Sequence, residues 1–589
     1  MKKNKFALVR AMALVLLLSA SLAGCASPTP TSVPTAVPQP TATRAPTAAP
    51  TSAPAPTAAS SSATASTSSS SASAAPTVAP TQAPTVVLTA VPAAKSPTGS
   101  LTVALSTLEA ETFMPWNGGG GRTSYLAMIY EYLAYLDPVT GALKPGLATQ
   151  WEMSADGKKL TLQLRQGVQF QEGYGELTAE DVKYSLERLA AQDSIAGPAG
   201  ILRTSFASID APSPYQVVVN LKVSMPDLLI GYLSDANQAL IVSKKYVTTV
   251  GDDKANTRPI GSGPYMLAEE HKKGGPIKLT TIPNVEKHWR VVPAYKNVTF
   301  LLVPEEATRV AMLKNGEADL APISYDSIDT IKASNLNVVS IQKSWSPIIR
   351  LGGLVATDPK RFKADNPWAK IQVRQALNYA IDKATIAKTI FRGEATPGGS
   401  GDPVPPFYDI EPYPYDVAKA KQLLTEAGYP NGFSITLKTF TTVPGAELPT
   451  IGEAVALYWK AIGVDVKIVP TDFGTVRGEW TGGKAIDYVW IHRGLAFADP
   501  FTAAATEYKD NPFAVFVTPE YSDLFIKSSA EIDPKKRQQL ALEYGKLMRD
   551  QAANIFLVFA NEPYGASKKV GQWPTIRVRP QNIDLITPP

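Results

Sequence analysis

The chain has 589 residues, with 57 Lys and Arg against 52 Asp and Glu, three His, one Cys and a formal net charge of +5. Six of the basic residues fall in residues 1–97, which hold no acid, so the remainder carries 51 bases against 52 acids. That balance argues against a nucleic-acid-binding domain, which keeps a clustered positive excess, and a lone thiol leaves no internal disulfide to support the fold.

Taken in chain order, MKKNKFALVR supplies Lys2, Lys3, Lys5 and Arg10, and AMALVLLLSASLAG then runs 14 apolar or small residues. This is the pattern of a secretion signal over residues 1–24, too short for the ~20 apolar residues that a spanning helix needs. An uncleaved anchor is the alternative. The stretch Leu22-Ala23-Gly24-Cys25 resembles the lipobox of bacterial lipoproteins, which implies cleavage before Cys25 and lipid attachment to it. Acyl chains contribute ~0.8 kcal/mol per buried CH₂, so they would hold the exported protein at a membrane surface. Residues 26–97 are rich in Pro, Thr, Ser and Ala and contain no Asp, Glu, Phe, Tyr or Trp. Such a segment cannot bury enough apolar area to offset its ordering entropy. It is expected to be a disordered spacer of ~45 Å as a coil or ~220 Å if extended, with a glycosylated stalk as the alternative.

About 490 residues follow, beyond the ~250–300 at which single cores stop growing, so at least two lobes are expected. In KKLTLQLRQGVQF, Leu160, Leu162 and Leu164 alternate with polar residues, and YQVVVNLK is rich in β-branched side chains, so both read as strands. Between them Thr178 and Asp181 form a capping-box pattern ahead of Val182, Leu186 and Leu189, which predicts a helix. A second helix is predicted through Val373, Ala376, Leu377, Ala380 and Ile381, with Gly393 as its C-terminal cap. Asp416 reads as the N-cap of a third helix, ended by Gly428 and followed by a strand. The same alternation recurs in GEAVALYWKAIGVDVKIV and KKRQQLALEYGKLMRDQAANIFLVFA, so the class is α/β with mixed sheets.

Catalytic and metal signatures are weak. The histidines are His271, His288 and His492; His271 and His288 sit in contexts that read as exposed loops, and no His/Cys cluster has zinc spacing. No cofactor and no metal are expected. PIGSGPY fails as a nucleophile elbow because Ile260 and Pro264 stand where glycines are required. In GEWTGGKA, Gly478, Gly483 and Lys484 fit a phosphate loop, but Ala485 replaces the Mg²⁺-holding hydroxyl, so these glycines read as a turn. A carboxylate-pair glycosidase stays open, because such a pair is defined by geometry rather than spacing.

Residues 129–189, then RPIGSGPYML, LKNGEADLAP, VRQALNYAIDKATIAKTIFRGEATP, YDVAKAKQLLTEAGYPNGF and the closing IFLVF resemble, in order, the family five extracellular solute-binding proteins of ABC importers. The resemblance covers essentially all of residues 98–589. It implies a two-lobe periplasmic-binding-protein-like fold with hinge strands and no enzyme activity. Its implied parts are a first lobe at 98–350 with an inserted subdomain near 131–254, a second lobe at 351–555, and a return to the first lobe at 556–589. It further implies a monomer, lipid-anchored in the periplasm or at the cell surface, that closes over a small solute and docks on a permease served by an ATPase. The motifs themselves read as fold-forming: Pro145-Gly146-Leu147-Ala148 with Trp151, Gly261 and Gly263, and Glu317-Ala318-Asp319 each look like a turn or helix end beside core packing.

In peptide-binding relatives, a strand-end Trp is followed three residues later by an Asp that pairs with the peptide ammonium. Here Trp490 matches, but Arg493 stands at the third position and the next Asp is Asp499. A guanidinium favours a carboxylate or phosphate, so Arg493 is expected to meet an anionic group, with Trp490 as an aromatic wall. Alternatively Arg493 pairs structurally with Asp487 or Asp499, or Asp499 takes the ammonium. Further pocket candidates are Trp116 beside a glycine-rich turn, Tyr488, Trp480 and Arg350, whereas Trp345 reads as core. If the aromatics dominate, an oligosaccharide is the expected ligand. A surface hydrolase and a non-transport sensor are the rival functions.

Overall fold

The computed structural model describes residues 96–138, 140–442, 445–501, 511, 513–575 and 582–589. The signal, Cys25 and nearly all of the spacer lie outside the described residues.

Twelve strands form one mixed sheet. Ten lie on its main path: β1 (Ser100–Leu105), β2 (Tyr265–Leu267), β3 (Ile277–Thr281), β4 (Asn297–Leu302), β5 (Leu320–Pro322), β6 (Asn337–Leu351), β7 (Phe433–Thr439), β8 (Val464–Pro470), β9 (Val489–Leu495) and β10 (Val558–Ala566). Their spatial order is β2-β3-β4-β1-β5-β10-β6-β9-β7-β8. β1 runs parallel to β4 and β5 in one half, and β7 runs parallel to β8 and β9 in the other. Strands that run parallel in one sheet need crossover connections. The helices Glu306–Asn315, Leu448–Lys460 and Phe473–Thr481 supply them between β4 and β5, β7 and β8, and β8 and β9. The two halves are stitched by the antiparallel pair β6 and β10.

Two large apolar cores flank that seam. One gathers Leu101, Tyr125, Leu162, Val219 and Phe300; the other gathers Leu377, Leu437, Trp459, Ile491 and Tyr544. This is a two-lobe α/β fold with mixed sheets. A separate antiparallel sheet of Ala148–Met153, Lys159–Leu164, Gln216–Leu221 and Phe206–Ser213 belongs to the first core. It contains both strands predicted from alternation, with Leu160, Leu162 and Leu164 facing inward.

The helix Ala179–Leu189 begins at the Thr178/Asp181 capping box, and Asp416 caps Val417–Glu426 by accepting from Lys419 N at 2.8 Å. The helix predicted through Ile381 is instead two, Ile371–Tyr379 and Lys383–Thr389. Asp382 restarts it, because its carboxylate accepts from Thr385 N at 2.9 Å and makes a new N-cap. Gly393 adopts φ +85° beyond the second helix. Gly478 lies inside the helix Phe473–Thr481 and Gly483 turns the chain just after it, so the glycine pattern closes a helix rather than opening one. His271 and His288 are corrected: both side chains are buried. His271 Nε2 lies 3.0 Å from Glu111 Oε2, and His288 Nε2 lies 3.0 Å from Ser262 O. Their polar flanks in sequence gave no sign of these partners, which lie 160 and 26 residues away. Among the described residues no helix is long and apolar enough to cross a membrane, and no His/Cys/Asp/Glu group has the makings of a metal site.

Candidate ligand-binding cleft

β6 is 15 residues long and passes from one core into the other. Its pairing with β10 slips between Ile341 and Trp345, where Lys343 takes φ +48°. A bulge of this kind bends and twists a strand pair, so it marks where the halves change direction. The bulge is fastened by side chains. Lys343 N donates to Asn561 Oδ1 at 2.9 Å, and Asn561 Nδ2 donates to Glu394 Oε2 at 2.9 Å. Tyr325 OH donates to Asn561 O at 2.6 Å and accepts from Trp345 Nε1 at 3.1 Å. Trp345 is buried, as the sequence reading expects.

Ligands of open α/β sheets bind beyond the carboxyl ends of the strands. At this seam the segments following β4 and β5 meet the segment following β7. Arg392 Nη2 lies 3.1 Å from Asp326 Oδ1 across it. Burial raises the Glu447 carboxyl above the usual range, its own backbone N–H opposes this, and Asp326 and Glu306 add to the rise. Glu306 is held low despite burial by Ser327, Ser324 N and Ser324 Oγ at 2.6–2.8 Å. Burial also raises Glu562 on β10, opposed by the Tyr564 hydroxyl at 3.3 Å and by Arg493. Burial lowers the Arg493 guanidinium, against the field of Glu562. Arg493 and Glu562 thus lie in each other's field, and Glu562 and Glu447 both act on Tyr325, so the seam gathers a guanidinium and two carboxyls, groups able to meet a ligand carrying both signs of charge.

The predicted site residues do not all meet there. Trp490 is the second residue of β9 and deeply buried; its ring packs on Trp480 at 5.3 Å and Tyr488 at 5.8 Å. Successive strand residues point to opposite faces, so Trp490 and Arg493, three apart, diverge. Arg350 pairs in register with Trp490 and shares its face. Trp480, Tyr488, Trp490 and Arg350 therefore cluster inside the second core, where Trp480 Nε1 donates to Phe513 O at 2.9 Å and Tyr488 OH donates to Glu479 at 2.5 Å. Arg493 lies nearer the carboxyl end of β9, across from Pro347. Of the acidic residues expected near it, Asp487 pairs with Lys363, and Asp499 accepts two bonds from Arg537 at 2.9 and 3.0 Å. Trp116 is buried in the first core, edge-on to Tyr184 and beneath the Arg188 guanidinium. Its glycine-rich turn wraps the buried Arg122, which donates to the carbonyls of Thr112, Met114, Pro115 and Gly119. Glu447, Glu562, Asn561, Glu394 and Tyr325 were missed. A signal existed only for Glu562, a carboxylate directly after the apolar run IFLVFA and Asn561.

Two α/β halves are joined here by paired strands, with charges gathered where they meet. The family model for bacterial extracellular solute-binding proteins, family 5 Middle, matches residues 142–513, and the chain belongs to that family. It is similar to the dipeptide-binding protein of Escherichia coli K12, 27% identical over 468 residues, covering 73% of this chain and 83% of the relative. It is 33% identical over 300 residues to the glutathione-binding protein GsiB of Salmonella paratyphi A, covering 50% of this chain and 55% of that one. It therefore spans little more than half the length of the glutathione-binding relatives it matches. The structure of HbpA2 from Haemophilus parasuis shares the fold, with a TM-score of 0.71 and 21% identity, covering 83% of this chain and 100% of that one.

Proposed function

We propose that this protein is the receptor of an ABC importer, anchored outside the cytoplasm through lipid on Cys25, and that it captures a peptide-type solute by closing its lobes and delivers it to a permease. It breaks no bond in the solute. The observation that carries the reading is the seam itself, where β6 and β10 cross beside Arg493, Glu447 and Glu562. A solute touching both halves binds the closed form better than the open one and so shifts the equilibrium toward closure. Peptides carry an ammonium and a carboxylate, the two charges that this set is suited to receive, and the names of the dipeptide- and glutathione-binding relatives point the same way. Arg493 is assigned to the ligand carboxylate. In the proposed division, residues 98–350 with the insert near 131–254 and residues 556–589 form one lobe, and 351–555 the other. A spacer of 72 residues keeps the receptor near its permease while letting it reorient.

Native mass spectrometry of protein purified without denaturation, followed by calorimetry with the mass-matched solute, tests the reading. A retained peptide that rebinds supports it. Retention of an oligosaccharide, or accumulation of cleaved product, overturns it.

A further inference from the structure

The helical turn Leu228–Leu233 of the first half meets the second half through an apolar contact and a charge. Ile230 of this turn and Ala498 of the second half both pack against the buried pair Leu136 and Ala236. Asp227 opens the turn three residues before Ile230, and its carboxylate does not cap it. Next to Ala498 in the chain, Asp499 accepts from Arg537 Nε at 3.0 Å and from Nη2 at 2.9 Å. Arg537 Nη1 donates to the carbonyls of Ser528, Ser529 and Glu531, and the guanidinium carbon lies 4.7 Å from the centre of the Phe501 ring. All of these partners belong to the second half, so Arg537 is held in place by its own half.

Burial lowers the Arg537 guanidinium, but the field and hydrogen bonds of Asp499 and the fields of Asp227 and Glu531 outweigh it and keep the group above its ordinary range. Asp227 is the one of these acids that comes from the first half. Stripping a buried ion of its partner leaves an uncompensated charge, which makes such a break costly. Here separation of the halves leaves Arg537 with its fork on Asp499, and the half-buried Asp227 regains water. Among the described residues no backbone hydrogen bond joins residues 227–236 to residues 498–537. The contact can therefore part and re-form without disturbing either core.

We infer that Asp227 and Arg537 form an electrostatic latch between the halves, which biases the solute-free receptor toward its closed form. This rests on the closure proposed above and adds a contribution that the solute does not supply, because both charges belong to the protein. Apparent affinity scales with the population of the binding-competent form, so the latch enters the affinity for every solute alike. It weakens as salt screens the half-exposed carboxylate.

Spin labels on Ile195→Cys in the first half and Leu457→Cys in the second, both exposed positions, read the distance between the halves in the full-length, detergent-solubilised protein. Material stripped of retained solute, as verified by native mass spectrometry, is compared for the labelled parent, Asp227→Asn and Asp227→Lys. The closed population is the one whose distance matches the present structure. Its ratio to the open one is expected to fall about two- to fivefold in Asp227→Asn, the range of an ion pair partly open to water, and further in Asp227→Lys, which turns attraction into repulsion. In about 1 M NaCl the parent and Asp227→Asn are expected to converge. Asp227→Asn keeps the size of the side chain, so the comparison survives if the lysine variant fails to fold. An equal loss in both variants, or one that salt does not alter, assigns Asp227 a packing role and overturns the latch. Identical distributions in all three proteins overturn it too, while closure stands if the solutes released from the native protein still shift them. If neither charge nor those solutes shift the distance, both readings fall.

Discussion

Single buried charges set the pH response of this protein. Asp235 is fully enclosed; burial pushes its carboxyl up to about 8, opposed by the Leu136 N–H at 2.8 Å and by Arg290. An unfolded Asp titrates near ~3.9. Between about pH 4 and 8 the native state therefore binds the extra proton, and stability falls as pH rises through that window. Asp235→Asn keeps a carbonyl oxygen for Leu136 and removes the titration. Its melting temperature is expected to exceed that of the wild type at pH 8 and to lose the decline between pH 5 and 8, read by calorimetric scans. A second prediction concerns Asp499. Its bidentate pairing with Arg537 is almost dry, and removing one partner of such a pair costs about 3–5 kcal/mol. Asp499→Ala is expected to lower urea stability by that order. The sequence could suggest Asp499 as a ligand group, but only the fold brings up Arg537, 38 residues away.

At the scale of elements, the crossing pair β6 and β10 depends on Asn561, whose side chain bridges Lys343 N and Glu394 while its carbonyl accepts from Tyr325. Asn561→Ala removes the acceptor of the half-buried Lys343 N–H. A loss of about 1–3 kcal/mol is expected in equilibrium unfolding. Because the bridge fastens the bulge in β6, we also expect faster amide exchange at Lys343 than at Leu437 in β7. Helix starts were readable from sequence because a cap is local: Thr178 with Asp181, and Asp416, act within three residues of themselves. The break at Asp382 has an equally local cause, the Thr385 N–H, but the continuous apolar stripe through Ile381 masks it. Trp490 shows the opposite case. Its identity suggested a strand end, yet β9 runs five residues further, to Leu495, and its position in that strand follows from pairing with β6.

For the whole molecule, Ala498, a few residues after Arg493, meets Leu136, Ala236 and Ile230 in an apolar contact between the halves. In the closure proposed above, Ala498→Glu buries a charge there and penalises the closed form. Ligand affinity is expected to fall several-fold with the unliganded melting temperature nearly unchanged, since a conformational penalty enters affinity through the competent population. X-ray scattering with and without the solute found by mass spectrometry gives the complementary measure: a smaller radius of gyration on binding in the wild type, and a reduced change in Ala498→Glu.

The sequence by itself determined the elements and their class. Period, caps and turn glycines act over a few residues, and the ordered motifs from residue 129 to the closing IFLVF were enough to indicate the family and its two-lobe fold. Only the tertiary structure decided which side chains meet. The aromatic group of Trp480, Tyr488 and Trp490 went into a core, both loop histidines were enclosed, and the charges at the seam came from Glu447, Arg493 and Glu562, far apart in the chain. The physical reason is that strand register fixes the face on which a residue points, and register is set by partners hundreds of residues away.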